Sequence, residues 1–170
     1  MNLAFVDVET TGLDPKKHEI IEIAILREEE DGKLLFWSTK IKPNNIETAH
    51  PKALEVNGYS FNEWKDSPRL GEVVHKMFEM IDGAYFVGYN PQFDWGFIKE
   101  ALDECGVPVP KRVRLIDCMP YAFEHLLPQG LESLSFDSVR AFKGWKVAKV
   151  HGATKDVLDL YRFYCEIMKR

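Results

Sequence analysis

Two acidic residues, Asp7 and Glu9, lie two positions apart in the segment FVDVETTGL. Their neighbours Phe5, Val6 and Val8 favour a buried β-strand, and residues at i and i+2 of a strand point to the same face of the sheet. Two carboxylates on one buried face repel each other. A fold keeps such a pair only where a shared proton, a basic partner or a metal ion offsets the repulsion.

A third acid, Asp94, lies in the segment VGYNPQFDWGFI, one turn into a helix that Asn90 and Pro91 are predicted to start. An acid at such a position commonly complements the positive end of the helix dipole, and this is the ordinary interpretation. The aromatic neighbours Phe93 and Trp95 are unfavourable surroundings for an acid that is merely solvated. Asp94 is therefore also a candidate functional acid.

A histidine and a fourth acid, His151 and Asp156, lie in the segment KVHGATKDVLDLYRFY. Gly152 indicates a loop next to the histidine, and Asp156 falls in the first turns of the closing helix. A surface histidine and an ordinary helix-start acid are the alternative interpretation of this pair. The other histidines have no comparable neighbours and are interpreted as surface or packing residues: His18, His50, His75 and His125.

Together these residues have the composition of a divalent-metal site. Four carboxylates come from a strand and two helix starts, and a histidine precedes the last acid by five positions. Hard ions such as Mg²⁺ prefer carboxylate and water oxygens. Two ions about 3.5–4 Å apart can stabilise both the attacking and the leaving oxygen of a phosphoryl transfer. The sequence therefore predicts that metal ions offset the repulsion between Asp7 and Glu9.

The order of the predicted elements indicates a mixed α/β sheet. After a first strand around FVDVE, further strands are expected at residues 19–29, 33–43, 84–89 and 113–117. Asp31 and Gly32 predict a hairpin turn between the second and third strands. Helices are expected at residues 51–56, 70–81, 91–104 and from about 153 to the end. This order matches the ribonuclease H-like layout, a mixed five-stranded sheet flanked by helices, in one domain over residues 1–170.

Three segments resemble the motifs of a known family. DVETTGL looks like the first, YNPQFD the second and HGATKD the third exonuclease motif of the DEDDh (DnaQ-like) 3′-end exonucleases. This family includes the proofreading subunit of bacterial replicative polymerases, RNase T and oligoribonuclease. The resemblance covers about residues 3–160 and extends to KPNNIETAHPKALEVNGYS between the first two motifs. One departure is Tyr89, where many relatives have histidine, and it concerns substrate contacts rather than chemistry.

The resemblance implies a role for each residue of the candidate site. Asp7, Glu9 and Asp156 would hold the metal ion that binds the attacking water. Asp7 would also contact a second ion, and Asp94 would complete the ligand set directly or through water. His151 would take the proton of the water, which suits a side chain whose ordinary pKa is near neutral. The implied cofactors are two divalent ions, Mg²⁺ or Mn²⁺.

The residues that follow the first two acids are candidates for contact with the substrate. The terminal nucleotide should meet the segment of Thr10, Thr11, Gly12 and Leu13. Gly12 permits close backbone approach and Leu13 can pack against a base, although a plain turn is the alternative. Asn90 and Phe93 are further candidates, and Phe93 is either a stacking surface or, as we favour, part of the core.

Composition and charge restrict the class of protein. A chain of 170 residues that is 45% hydrophobic and 29% charged is ordinary for a soluble globular domain. The N-terminus MNLAFVDVET shows no basic leader, and no apolar run is long, so neither a signal peptide nor a membrane span is predicted and the cytoplasm is expected. The three cysteines show no CxxC spacing, which argues against a disulfide framework or a zinc site. The net charge of −5 opposes nucleic-acid binding, but two divalent cations would bring it to −1.

The expected function is removal of nucleoside 5′-monophosphates from the 3′ end of single-stranded nucleic acid, with DNA favoured over RNA. One alternative is an exoribonuclease of the RNase T or oligoribonuclease kind, which would recognise the 2′-hydroxyl. The other is a protein without catalysis that binds a polymerase or a repair complex. A DNA polymerase is a candidate partner both for the exonuclease and for the protein without catalysis. The intact acids argue against the second alternative, because a binding module has no physical need for a repulsive carboxylate cluster.

Overall fold

Five strands form one mixed sheet in this computed structural model, which describes residues 1–170. The strands are β1 (Leu3–Thr10), β2 (Ile20–Glu28), β3 (Leu34–Lys40), β4 (Tyr85–Gly88) and β5 (Leu115–Asp117). Their order in the sheet is β3-β2-β1-β4-β5, so that β1 is the central strand. The first three strands pair antiparallel, whereas β4 runs parallel to both β1 and β5. The predicted ribonuclease H-like sheet is confirmed.

Seven α-helices connect and cover the strands. They are α1 (Pro51–Val56), α2 (Phe61–Trp64), α3 (Leu70–Ile81), α4 (Pro91–Glu104), α5 (Met119–Tyr121), α6 (Phe136–Phe142) and α7 (Ala153–Met168). A π-helical turn (Ala122–Leu126) and short 3₁₀ turns (Ile46–Thr48 and Leu127–Gln129) complete the elements. The predicted bounds of α1, α3 and α4 are confirmed, and α7 begins where it was expected. No helix combines the length and the apolar character that crossing a membrane requires.

The two faces of the sheet pack against different helices. Ala4, Val6 and Val8 of β1 belong to a core cluster with α3 and α4, and Leu3 and Phe5 belong to a second cluster with α6 and α7. Side chains alternate between the two faces of a strand. The acids at positions 7 and 9 therefore continue the face of Leu3 and Phe5 and project to the side on which α7 lies.

A sharp turn leads from β4 into α4 at the predicted helix start. Asn90 precedes the helix and Pro91 occupies its first position, as expected. The Asn90 side chain, however, makes no capping hydrogen bond, and its backbone is left-handed with φ of 62°. Its N–H instead donates to Oδ1 of Asp117 at 3.0 Å. The predicted start of α4 at Asn90 and Pro91 is therefore confirmed, although no side-chain capping hydrogen bond forms.

Candidate active site

The end of β1 brings two carboxylates to the centre of the sheet. Asp7 pairs with Ala24 of β2, and Glu9 lies directly across from Glu22. The register shifts between Glu9 and Thr10, so the regular ladder ends immediately after the second acid. Glu22 is half-buried, and burial raises its pKa, although the charge of Lys40 and the N–H groups at the start of α7 oppose the shift. β1 thus supplies the two predicted acids, and β2 places a third carboxylate, that of Glu22, beside them.

Asp94 approaches β1 from the first turn of α4. Its Oδ1 accepts a hydrogen bond from the N–H of Val8 at 3.0 Å, and the side chain is 5% exposed. The parallel pairing of β1 with β4 ends at Phe5, so Asp94 binds a strand N–H that β4 does not reach. Because Val8 lies between Asp7 and Glu9, this bond places the Asp94 carboxylate next to both. Solvation at a helix start therefore does not account for this acid.

Asp156 and His151 lie on the α7 side of the sheet, the face to which Asp7 and Glu9 project and the one opposite α4. Asp156 lies in the first turn of α7 and is 9% exposed. His151 precedes the helix, and its N–H donates to the carbonyl of Val56 at 3.0 Å, which anchors the loop to the end of α1. Ligand atoms of Glu9, His151 and Asp156 lie within 4.8 Å of one another, a spacing that could hold one metal ion. Three separate elements thus converge on one cluster, as the sequence predicts.

The pKa values of the carboxyl groups reflect burial and mutual repulsion. Burial, followed by the charges of Asp94, Asp156 and Glu9, raises the pKa of Asp7 well above its ordinary value. Burial and then the charge of Asp156 raise the pKa of Glu9 to about 8. Burial likewise raises the pKa of Asp94 to about 7, although the Val8 N–H opposes the shift. A divalent cation would reverse this trend, because it favours the charged form of every carboxylate around it.

The donor set therefore fits a hard divalent cation. Its four acids offer carboxylate oxygens, which Mg²⁺ and Mn²⁺ prefer, and the site lacks the thiolates of a structural zinc site. Imidazole nitrogen suits softer ions, so His151 is better suited to act as a base than as a ligand. The raised pKa values also show that the cluster without a cation would hold protons near neutral pH.

The stability of the metal-free protein should consequently depend on pH. A carboxyl whose folded pKa is raised binds more protons when folded, so its contribution is complete below the unfolded value of 4.5 and is lost as pH rises through about 8 for Glu9. We expect the free energy of unfolding in EDTA to fall over this interval, by up to about 1.4 kcal/mol per pH unit for each such carboxyl. Urea denaturation at several pH values measures this. Saturating Mn²⁺ should remove most of the decline, and a metal-free stability that rises over the same interval would contradict the expectation.

Comparison with known proteins agrees with these motifs. The family model described as Exonuclease (RNase_T) matches residues 4–164, nearly the whole chain. The chain belongs to this exonuclease family. The resemblance to the 3′-end exonucleases that the motifs indicate is therefore confirmed at the level of the family.

Individual relatives of this exonuclease domain are longer proteins. It is 37% identical over 106 residues to the 3′-5′ exonuclease DinG of Bacillus subtilis (strain 168), which covers 62% of this chain and 11% of DinG. It is 30% identical over 168 residues to the PolC-type DNA polymerase III of Clostridium perfringens (strain 13 / Type A), which covers 96% of this chain and 11% of the polymerase. E. coli Exonuclease I in complex with a dT13 oligonucleotide shares the fold, with a TM-score of 0.80, 16% identity and coverage of 97% of this chain and 41% of that chain.

In this exonuclease domain, the segment after Glu9 forms a tightly bonded turn with one projecting side chain. The Thr10 hydroxyl donates to the Gly12 carbonyl at 2.7 Å, and the Thr11 hydroxyl accepts from the N–H of Glu19 at 2.9 Å. A side chain at Gly12 would collide with the ring of His18. Leu13, by contrast, is 81% exposed. Thr10 and Thr11 are buried and their hydroxyls bond within the turn, so Leu13 is the exposed side chain of the segment.

Two further predicted substrate residues have different surroundings. Phe93 is partly buried and packs on Phe97 with ring centroids 5.0 Å apart, which agrees with the preferred core interpretation. Asn90 is exposed next to the start of α4. Tyr89, at the position of the departure from the family pattern, donates to the carbonyl of Leu134 at 2.8 Å and stacks on Phe136. Its ring therefore joins β4 to α6 rather than lining the carboxylate cluster.

Sequence reasoning missed a buried arginine. Arg140 of α6 is 2% exposed and binds Asp156 at 2.8 Å between Nη2 and Oδ1. Its charge also partly opposes the rise in the pKa of Asp7 that burial and the neighbouring acids cause. A shared proton, a basic partner or a metal ion can offset carboxylate repulsion. The sequence predicts a metal ion, and the structure shows a basic partner, Arg140, as well. A signal existed in the sequence, since Arg140 lies among the apolar residues Val139 and Phe142 of a short helix.

Proposed function

We propose that residues 1–170 form a metal-dependent 3′-5′ exonuclease domain that releases nucleoside 5′-monophosphates from single-stranded DNA. The observation that carries this proposal is the grouping of Glu9, His151 and Asp156 within 4.8 Å, beside Asp7 and Asp94, in a chain of the exonuclease family. Such a cluster is repulsive by itself and suits the hydrolysis of a phosphodiester when cations occupy it.

The acids of the cluster and its histidine would have different roles, metal binding and proton transfer. Asp7, Glu9, Asp94 and Asp156 would hold two divalent ions. When bound, the ions supply charge stabilisation for the attacking and leaving oxygens of the phosphodiester. His151 would accept the proton of the attacking water. It is the only neutral base in the group, and its exposed fraction is large enough for water to reach the ring.

The nucleotide at the end of the strand would lie over the turn that follows β1. Gly12, Leu13, His50 and Val56 line an open pocket of about 460 Å³ beside this turn. The exposed Leu13 provides an apolar surface for a base. A strand that continued past this nucleotide would meet the end of β1 at Thr10, so we infer that the site favours a chain end over a continuing strand.

A preference for DNA over RNA is part of this proposal, and the relatives support it. The solved Exonuclease I complex contains a dT13 oligonucleotide, and the PolC-type relative is a DNA polymerase. The same polymerase relative supports a DNA polymerase as a partner of this domain. Matched DNA and RNA oligonucleotides test the preference directly, and faster degradation of the RNA would select the exoribonuclease alternative instead.

The 3′ polarity in this proposal comes from the resemblance to the 3′-end exonucleases, and the requirement for an end comes from the turn after Thr10. We expect a 5′-labelled single strand to yield a descending ladder, because nucleotides leave one at a time from the 3′ end. A strand that ends in a 3′-phosphate should resist, and a duplex end should react more slowly, since unpairing and unstacking cost a few kcal/mol. Gel electrophoresis of the labelled products measures each rate. Cleavage of a closed single-stranded circle at the rate of the linear strand would show an endonuclease and would exclude this proposal.

A further inference from the structure

Arg140 contacts three carboxylates at once from its buried position on α6. Nη1 lies 2.7 Å from Oδ1 of Asp137, Nη2 lies 2.8 Å from Oδ1 of Asp156 and Nε lies 2.7 Å from Oδ2 of Asp159. Each nitrogen of the guanidinium thus serves a different acid. A planar group with donors in fixed directions orients its partners as well as neutralising them.

Asp137 and Asp156 also contact His151, so that these two acids, Arg140 and His151 form a closed ring of side-chain contacts. Oδ2 of Asp137 lies 3.3 Å from Nε2 of His151, and Oδ2 of Asp156 lies 3.5 Å from Nδ1. In both acids one oxygen faces Arg140 and the other faces the histidine. Asp137 is not one of the acids expected to bind metal, so it can remain a partner of His151 when a cation occupies Asp156.

We propose that Arg140 is a positioning residue of the active site, which holds Asp156 directly and His151 through Asp137. The proposal rests on the proposed function for its link to catalysis. A simpler role would be to join α6 to α7, and the contact with Asp159, whose carboxylate also binds Lys155, serves that role by itself. The two remaining contacts of the guanidinium are directed at a predicted metal ligand and at the partner of the predicted base.

A measurement of metal affinity distinguishes two effects of Arg140, its orientation of Asp156 and its positive charge. These two effects change the metal affinity in opposite directions. A buried positive charge next to the ligands repels a cation, so its removal alone would tighten metal binding. Loss of the contact that orients Asp156 would weaken binding, and partners that orient metal ligands typically contribute about 10–100-fold to affinity. The sign of the change therefore identifies the dominant role.

The first experiment measures Mn²⁺ binding by titration calorimetry without substrate. We expect Arg140→Met and Arg140→Lys to weaken Mn²⁺ binding by about 10–100-fold. Asp159→Asn is the matched control, since it alters the third partner of Arg140 outside the metal cluster, and it should leave Mn²⁺ affinity unchanged. Equal or tighter binding by a folded Arg140 variant would overturn the proposal. Circular dichroism establishes folding, and Arg140→Lys keeps the positive charge in case Arg140→Met does not fold.

The second experiment examines the link through Asp137. In Asp137→Asn the amide oxygen can still accept from Arg140, but the amide nitrogen then presents a donor to Nε2 of His151 and reverses which ring nitrogen carries the proton. We expect turnover to fall by roughly 10²-fold or more with little change in KM. In a His151→Ala background the same substitution should have no further effect, because its target is absent.

This double-mutant cycle distinguishes failure of the link through Asp137 from failure of the proposed function. An equal loss of turnover from Asp137→Asn in both backgrounds would show that Asp137 does not act through His151, and this part of the proposal would fail. A wild-type protein without activity on any substrate would instead remove the proposed function. The Mn²⁺ affinities, measured without substrate, would still decide the role of Arg140.

Discussion

Asparagine in place of Asp7 is expected to lower nuclease turnover by about 10³-fold or more and, at the same time, to stabilise the metal-free protein. The loss follows because charge stabilisation by a metal ion is worth several kcal/mol and each 1.4 kcal/mol is about tenfold in rate. The gain follows because burial and three neighbouring acids raise the pKa of Asp7, so its charged form is disfavoured in the folded protein. A neutral side chain of the same shape removes that penalty.

Opposite changes in activity and stability distinguish a metal ligand from a residue that supports the fold. A structural residue would lose both together. The measurements are single-strand degradation in Mg²⁺ and urea denaturation in EDTA at pH 8. The matched control is Asp31→Asn in the exposed turn between β2 and β3, where both quantities should stay at the wild-type value. A less stable Asp7→Asn protein, or one with wild-type turnover, would contradict the role of Asp7.

Alanine in place of His151 is expected to lower turnover by roughly 10²–10⁴-fold, the usual contribution of a general base. Substrate binding should change little, because the acids that hold the cations remain. The hydrogen bond with Asp156 and the nearby acids raise the pKa of His151, so the wild-type rate should decline on the acidic side as the ring takes up a proton. The variant should lose this acidic limb.

A suitable control for His151→Ala is His75→Ala, which replaces an exposed histidine of α3 on the opposite face of the sheet. Its pH profile and turnover should match those of the wild type. Steady-state kinetics between pH 5 and 9 compare the three proteins. If His151→Ala keeps the wild-type rate and profile, another group takes the proton and the assignment of the base is wrong.

Local sequence patterns determine the parts of this fold that were predicted correctly. The alternation around Asp7 and Glu9 indicates one strand face, and the prolines at positions 51 and 91 mark the starts of α1 and α4. Motif spacing also identifies His151 and Asp156, because a loop glycine and a helical stripe follow the histidine directly. Each of these signals lies within a few residues of the feature that it predicts.

Contacts between distant elements explain what the sequence did not reveal. Glu22 joins the carboxylate cluster only because the register of β1 with β2 places it opposite Glu9. The apolar neighbours of Arg140 could have indicated its burial, but its pairing with acids of both α6 and α7 is a contact that no short segment reveals. The left-handed backbone of Asn90 likewise follows from the reversal between β4 and α4 rather than from its own propensity to cap a helix.

The most direct test of the central claim is the chromatographic identification of nucleotides released from an unlabelled single-stranded DNA oligonucleotide. The reaction is run with the wild-type protein in Mg²⁺, with the same protein in EDTA, and with Asp7→Asn in Mg²⁺. The account predicts deoxynucleoside 5′-monophosphates that accumulate from the earliest times in the first reaction and almost none in the other two. Release of 3′-monophosphates or of longer fragments, or an equal yield in EDTA, would contradict a metal-dependent 3′-5′ exonuclease.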